Sequence, residues 1–342
     1  MKHKHSFTEL LNFYSIIFGR DQTMRVACLA LACALTASLP ASAQITGRSI
    51  PDPITGITFD DVSNVSAEVT TLNSIAKPPS VRVVFDTGEP GSYYLKPIQS
   101  FHPVAYVMGE LMDSSYACSY SVPGITSFTQ NYTATLGSLV DIWEVGNEVN
   151  GSWLCNSSSA GHRSSGNGGA GSVMQKVEAM YNTVTALGGR TALTFFYEGE
   201  PSEPNNCIDT SGGGNDMFSW INTNFLDSPT TETEAIRLGV NYVLISWYPD
   251  QCPGENPNWP VVYTKLGQVF PNAKVGFGEL GTANPKNGSA FERNEIDTIY
   301  PLKAGVGGLP SNYISGVFWW YAAVEMVPWP GSLGLTLNAA IQ

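Results

Sequence analysis

With 342 residues, 43% of them hydrophobic and only 13% charged, the chain can bury one large core, and its composition does not mark disorder. A formal net charge of -12 and a pI near 4.7 exclude a polyanionic partner. Nucleic acid is held through Lys and Arg contacts to phosphate, which an acidic surface repels, so a neutral ligand suits this chain better.

The first 43 residues read as targeting sequence. Arg25 precedes the apolar stretch Val26 to Leu39, which ends in the small-residue cleavage pattern Ala41-Ser42-Ala43. That stretch falls short of the roughly 20 apolar residues a span needs, so no membrane span is expected in the mature chain. Met24 stands directly before the charge, which leaves Met1 and Met24 both open as the start, with Met1 to Thr23 an upstream extension in the second case. A lipid anchor at Cys33 fits less well, because Ala30 occupies the place of a large aliphatic residue. The expected organisation is residues 1–43 as extension plus cleaved signal and residues 44–342 as one domain, secreted or periplasmic and monomeric.

Cys28 and Cys33 fall inside that signal, leaving Cys118, Cys155, Cys207 and Cys252. An even number in an oxidising compartment predicts disulfides. Of the three possible pairings, chain order favours Cys118 with Cys155 and Cys207 with Cys252, each joining neighbouring loops. No Cys-x-x-Cys or Cys/His spacing points to a metal, and no motif points to a cofactor.

From residue 56 onward, short β-branched and aromatic runs alternate with amphipathic stretches, the pattern of repeated βαβ units. Strands are predicted at Ile57 to Asp60, Val81 to Asp86, Ala105 to Leu111, Val140 to Val145, Thr191 to Tyr197, Tyr242 to Trp247, Lys274 to Gly278 and Ile314 to Trp320. Helical spacing predicts helices at Val65 to Ile75, Phe128 to Leu139, Ser172 to Leu187, Met217 to Phe225, Val261 to Phe270 and Ala290 to Leu302, with Ser114 to Thr126 read as loop. Eight strands in this alternation predict an α/β fold, a single-domain (β/α)8 TIM barrel. The loops after the strands are long and rich in Gly, Ser, Pro and Asn, and they form the face where active sites sit in that architecture.

Two glutamates end strands in apolar, aromatic surroundings: Glu148 after Trp143-Glu144-Val145-Gly146-Asn147, and Glu279 after Val275-Gly276-Phe277-Gly278. A glycosidic bond is hydrolysed with retention by one carboxylic acid that protonates the leaving oxygen and one carboxylate that attacks the anomeric carbon. Strand ends four and seven of one barrel can supply that pair. A single Glu more commonly caps a helix or pairs with a surface Lys; the pairing of two, with the Asn-Glu dipeptide, favours catalysis.

Gly146-Asn147-Glu148 ending strand four and a lone Glu279 ending strand seven resemble glycoside hydrolase clan A, over the barrel from about residue 56 to the C-terminus. The resemblance implies Glu148 as acid/base, Asn147 on the sugar 2-hydroxyl and Glu279 as nucleophile. It also implies Tyr248 orienting the nucleophile, Trp320 or its neighbour Trp319 beneath the sugar, and Arg82 on strand two supporting the nucleophile, although Arg82 sits early in its strand. Trp153, Trp247, Trp259, Tyr321 and Trp329 crowd the same loop face, and at least half of these aromatics suit ordinary packing. Glu110, Glu198, Glu200 and Asp250 also stand near strand ends, with Glu198 the reserve catalytic candidate. The expected ligand is a carbohydrate, in a β-linked polysaccharide or oligosaccharide; the rival reading is a secreted barrel that binds carbohydrate without cutting it.

Overall fold

The computed structural model describes residues 44–151, 153–154, 172–208 and 216–342; the predicted targeting segment 1–43 and Cys155 lie outside the described residues. Eight parallel strands close into a barrel in sequence order: β1 (Ile54–Phe59), β2 (Ser80–Val84), β3 (Tyr106–Glu110), β4 (Ile142–Glu144), β5 (Thr191–Phe196), β6 (Tyr242–Trp247), β7 (Lys274–Leu280) and β8 (Ser315–Trp319). Helices follow on the outside, so the strands are buried on both faces and read as nearly continuous apolar runs.

Side chains alternate across each strand. Val81, Val83, Val107, Trp143, Leu193, Phe195, Val243 and Ile245 point outward into the large core beneath the helices. Ile54, Met108, Ile142, Ala192, Leu244 and Phe318 point inward and form a separate apolar plug inside the barrel. Each fully buried side chain of this kind stabilises the fold by roughly 1.5–3 kcal/mol. An N-terminal strap closes the bottom: Arg48 holds the buried Asp141 through Nε and Nη2, at 3.0 and 2.6 Å.

The eight strands match the sequence reading, with boundary shifts of a few residues. The loop predicted over Ser114 to Thr126 is instead a 3-10 turn at Ser114–Ser119, capped by Asp113, and the start of a helix over Val122–Leu136, capped by Ser121. Pro123 and Gly124 suggest a break, yet proline in the first turn lacks only an N–H that would have no intrahelical partner. A helix over Gly91–Phe101 lies outside the predicted set; it opens on glycine and carries Pro97, both of which weaken the helical signal. The helix Thr231–Gly239, opened by a Thr230–Thr233 capping box, also lies outside the predicted helices.

Candidate active site

Above the apolar plug the barrel interior turns polar. In-register pairing puts Glu110 beside Glu144, Phe196 beside Ser246, and Ser246 beside Glu279, all facing inward. Glu279 faces inward because of a bulge. Ile245 pairs with Phe277 but Ser246 pairs with Glu279, so Gly278 is the extra residue, and strict alternation from Phe277 is broken. A Cβ on Gly278 would lie 2.8 Å from Leu244 Cβ and 2.9 Å from Thr194 Oγ1, which leaves room there for glycine alone.

Arg82 starts in the plug layer, paired with Met108, and its long side chain climbs to the polar layer. Its Nε donates to Glu144 Oε2 at 2.7 Å, and its Nη2 and Nη1 approach Glu110 and Glu279 at 3.0 and 2.9 Å. Those two contacts are ion pairs off the N–H direction rather than aligned hydrogen bonds. Burial alone would lower the Arg82 pKa, but the Glu110, Glu144 and Glu279 charges outweigh it and hold the guanidinium protonated. Thr194 donates a hydrogen bond to the other Glu144 oxygen.

Glu279 also accepts hydrogen bonds from the Tyr248 hydroxyl and, at 3.4 Å, from Asn147 Nδ2. Glu148 stands just beyond the end of β4 with φ +47°, a left-handed conformation rare for glutamate. Its carboxylate accepts from Ser114 Oγ at 2.9 Å; Ser114 N–H donates to Asn147 Oδ1, and Trp153 Nε1 donates to Ser114 Oγ at 3.2 Å. Asn147 therefore ties the surroundings of one glutamate to the other.

The two carboxyls are electrostatically unequal. Burial pushes Glu148 well above the usual carboxylate range, and the Glu279 charge pushes it further, with only partial relief from the Ser114 hydroxyl and Arg82. Burial pushes Glu279 up to about 7, held back by Arg82 and the Tyr248 hydroxyl. Arg82 and Tyr248 thus favour the charged form of Glu279, while burial and the neighbouring charge favour the protonated form of Glu148. Burial also drives Glu110 well above its usual range, against the pull of Arg82.

Both glutamates line a cavity of about 270 Å³ at the C-terminal face, with Asn147, Tyr248 and Trp320. Arg82 lies beneath it, so the early strand position is compensated by side-chain length. Trp319 is excluded: alternation turns it outward, where it is fully buried and donates to Glu325 Oε2 at 2.8 Å. Of the crowded aromatics, Trp153, Tyr248, Trp320 and Tyr321 line the cavity, whereas Trp247 and Trp259 pack together at 5.6 Å in the outer core. Glu198 does not line the cavity, Glu200 pairs with Lys265 at 2.5 Å, and Asp250 pairs with Lys286 at 2.6 Å. Sequence reasoning missed Ser114, Phe196 and Glu144; the alternation of Ile142 and Glu144 on one strand could have exposed the last.

Cys207 and Cys252 form a disulfide that ties the loop after β5 to the loop after β6, and Cys118 is also disulfide-bonded. Among the described residues, no helix is long and apolar enough to cross a membrane, and no group of three or more His, Cys, Asp or Glu side chains is placed to hold a metal ion.

No family model and no curated protein sequence matches the chain. Solved structures do match. The AHE enzyme from Alicyclobacillus herbarius superposes with a TM-score of 0.51 at 11% identity, over 80% of this chain and 90% of that one. A GH128 (subgroup I) endo-β-1,3-glucanase from Amycolatopsis mediterranei, in complex with laminaripentaose, gives 0.45 at 12% identity, covering 84% and 99%. Saccharomyces cerevisiae Gas2p in complex with laminaritriose and laminaritetraose also gives 0.45 at 12%, covering 81% of this chain but 61% of that one. The chain thus spans less than two thirds of the Gas2p chain. What is shared at these identities is the fold, the eight-stranded barrel that the resemblance to glycoside hydrolase clan A implies.

Proposed function

We propose that this protein is a retaining glycoside hydrolase that cleaves β-linked glycans by double displacement. The observation that carries the reading is the unequal setting of two buried glutamates in one cavity: Glu279 is held by the Arg82 guanidinium and the Tyr248 hydroxyl, whereas Glu148 accepts from the Ser114 hydroxyl and is pushed up by burial and the Glu279 charge. In the first step a Glu279 oxygen bonds to the anomeric carbon as the bond from that carbon to the leaving oxygen breaks, and Glu148 gives its proton to the leaving oxygen. In the second, water attacks the same carbon, its proton passes to Glu148, and Glu279 leaves as a carboxylate. Asn147, 3.4 Å from Glu279, is placed to meet the hydroxyl next to the reacting carbon, and Trp320 offers a flat face to the ring. The predicted signal, together with the Cys207–Cys252 bridge, supports export to an oxidising compartment.

The test is reducing-sugar release from a panel of β-glycans by the wild type, Glu148→Gln and Glu279→Gln, with product anomers followed by NMR. Cleavage with retention, and loss of about a thousandfold or more in each variant, is expected from removal of an acid/base or a nucleophile. Glycan binding without cleavage by the wild type would sink the catalytic reading and support a carbohydrate-binding barrel.

A further inference from the structure

We propose that Trp153 is the platform for a sugar on the leaving-group side of the scissile bond, so that the substrate class is an oligosaccharide or polysaccharide rather than a glycoside with a small aglycone. The inference rests on the proposed glycosidase reading and specifies its substrate.

Trp153 is 44% exposed where it lines the cavity that holds Glu148 and Glu279. The ring is nonetheless fixed. Its edge meets Phe196 at 5.0 Å and 82°, its Nε1 donates to Ser114 Oγ at 3.2 Å, and Gly151 packs so closely that a Cβ there would lie 2.6 Å from the ring. An aromatic face held in one orientation at the rim of the cavity can be covered by the C–H face of a pyranose with little loss of side-chain freedom.

Its place decides which sugar. Trp153 follows β4 and Trp320 follows β8, and in a barrel ordered one to eight these strands stand on opposite sides, with both platforms lining the cavity that holds Glu148 and Glu279. Trp320 lies over the Arg82 guanidinium, at 5.6 Å, beside the nucleophile. Trp153 is linked through Ser114 to Glu148, the group that protonates the departing oxygen. A sugar against Trp153 is therefore the one that departs.

The experiment compares two substrates of the full chain. One is a pentasaccharide drawn from cello-, laminari-, xylo- and mannopentaose, whichever is cut fastest. The other is the β-glycosyl fluoride of the same sugar, which has no leaving sugar. Trp153→Ala is expected to lower kcat/KM on the pentasaccharide about tenfold or more, a loss of at least one stacking contact, and at least about fivefold more than it lowers fluoride hydrolysis, where only the Ser114 contact is lost. Trp153→Phe keeps a flat ring but cannot donate to Ser114, and is expected to retain most pentasaccharide activity. Equal losses on both substrates, or a Phe variant as poor as the Ala variant, would overturn the platform in favour of a role in holding Ser114. If the Ala variant matches the wild type on the pentasaccharide, the platform is wrong while the glycosidase reading stands. If the wild type cuts no pentasaccharide, both fail together.

Discussion

Arg82 Nη1 lies 2.9 Å from Glu279 Oε2, and the same guanidinium meets Glu110 and Glu144, with the arginine and those two glutamates sealed from water. One cation therefore meets three carboxyl groups at the floor of the site. Removing one partner of a buried ion pair typically costs about 3–5 kcal/mol, because the remaining charge has no compensation. Arg82→Met is expected to lose stability of that order in urea unfolding and to abolish activity. An unchanged midpoint would mean that the guanidinium adds nothing net to the stability of the fold.

The pH profile should report both glutamates. Activity needs Glu279 ionised and Glu148 protonated, so kcat/KM should be bell-shaped, with an acidic limb near pH 7 and a basic limb above it. The limbs belong to the coupled pair rather than to either residue alone. The Tyr248 and Ser114 hydroxyls each donate to a carboxylate and favour its charged form. Tyr248→Phe should therefore move the acidic limb to higher pH, and Ser114→Ala should move the basic limb to higher pH. A shift of either limb downward would contradict the assignment.

Gly278 sets the direction of Glu279. A methyl group there would press on Leu244 and Thr194, and overpacking of this kind costs about 1–3 kcal/mol. Gly278→Ala should lower the thermal midpoint and depress activity far more than its stability loss explains. Wild-type activity in that variant would show that the bulge tolerates a side chain.

The Cys207–Cys252 bridge has a sequence separation of 45 residues. Cross-linking a loop of that length restricts the unfolded chain by about 4 kcal/mol in the chain-entropy account. A Cys207→Ser, Cys252→Ser double variant should unfold at lower denaturant by an amount approaching that, measured without reductant so that Cys118 keeps its own bond.

The barrel was legible because its signal is repeated eight times: apolar strands and amphipathic helices alternate, and one weak unit does not hide the period. Glu148 and Glu279 were legible because both close an apolar strand run. Register was not. Choosing Trp320 over Trp319 depends on which of two adjacent side chains faces inward, and a bulge such as that at Gly278 moves such phases without a distinctive residue pattern. Glu110 reads as one of several charges near strand ends and Glu144 carries no signal of its own, since their ion-pair partner Arg82 lies in another strand. Ser114 is placed by the turn that Asp113 caps, and its role appears only once β3 and β4 lie side by side.

Glu148 bears its carboxyl on a backbone angle of +47°, a region that glycine occupies without steric cost. The same carboxyl is buried next to the Glu279 charge. Glu148→Gly would relieve both, so the variant least able to protonate a leaving group should also be harder to unfold than the wild type. At this one position, mutational scanning for thermal resistance would select against the chemistry.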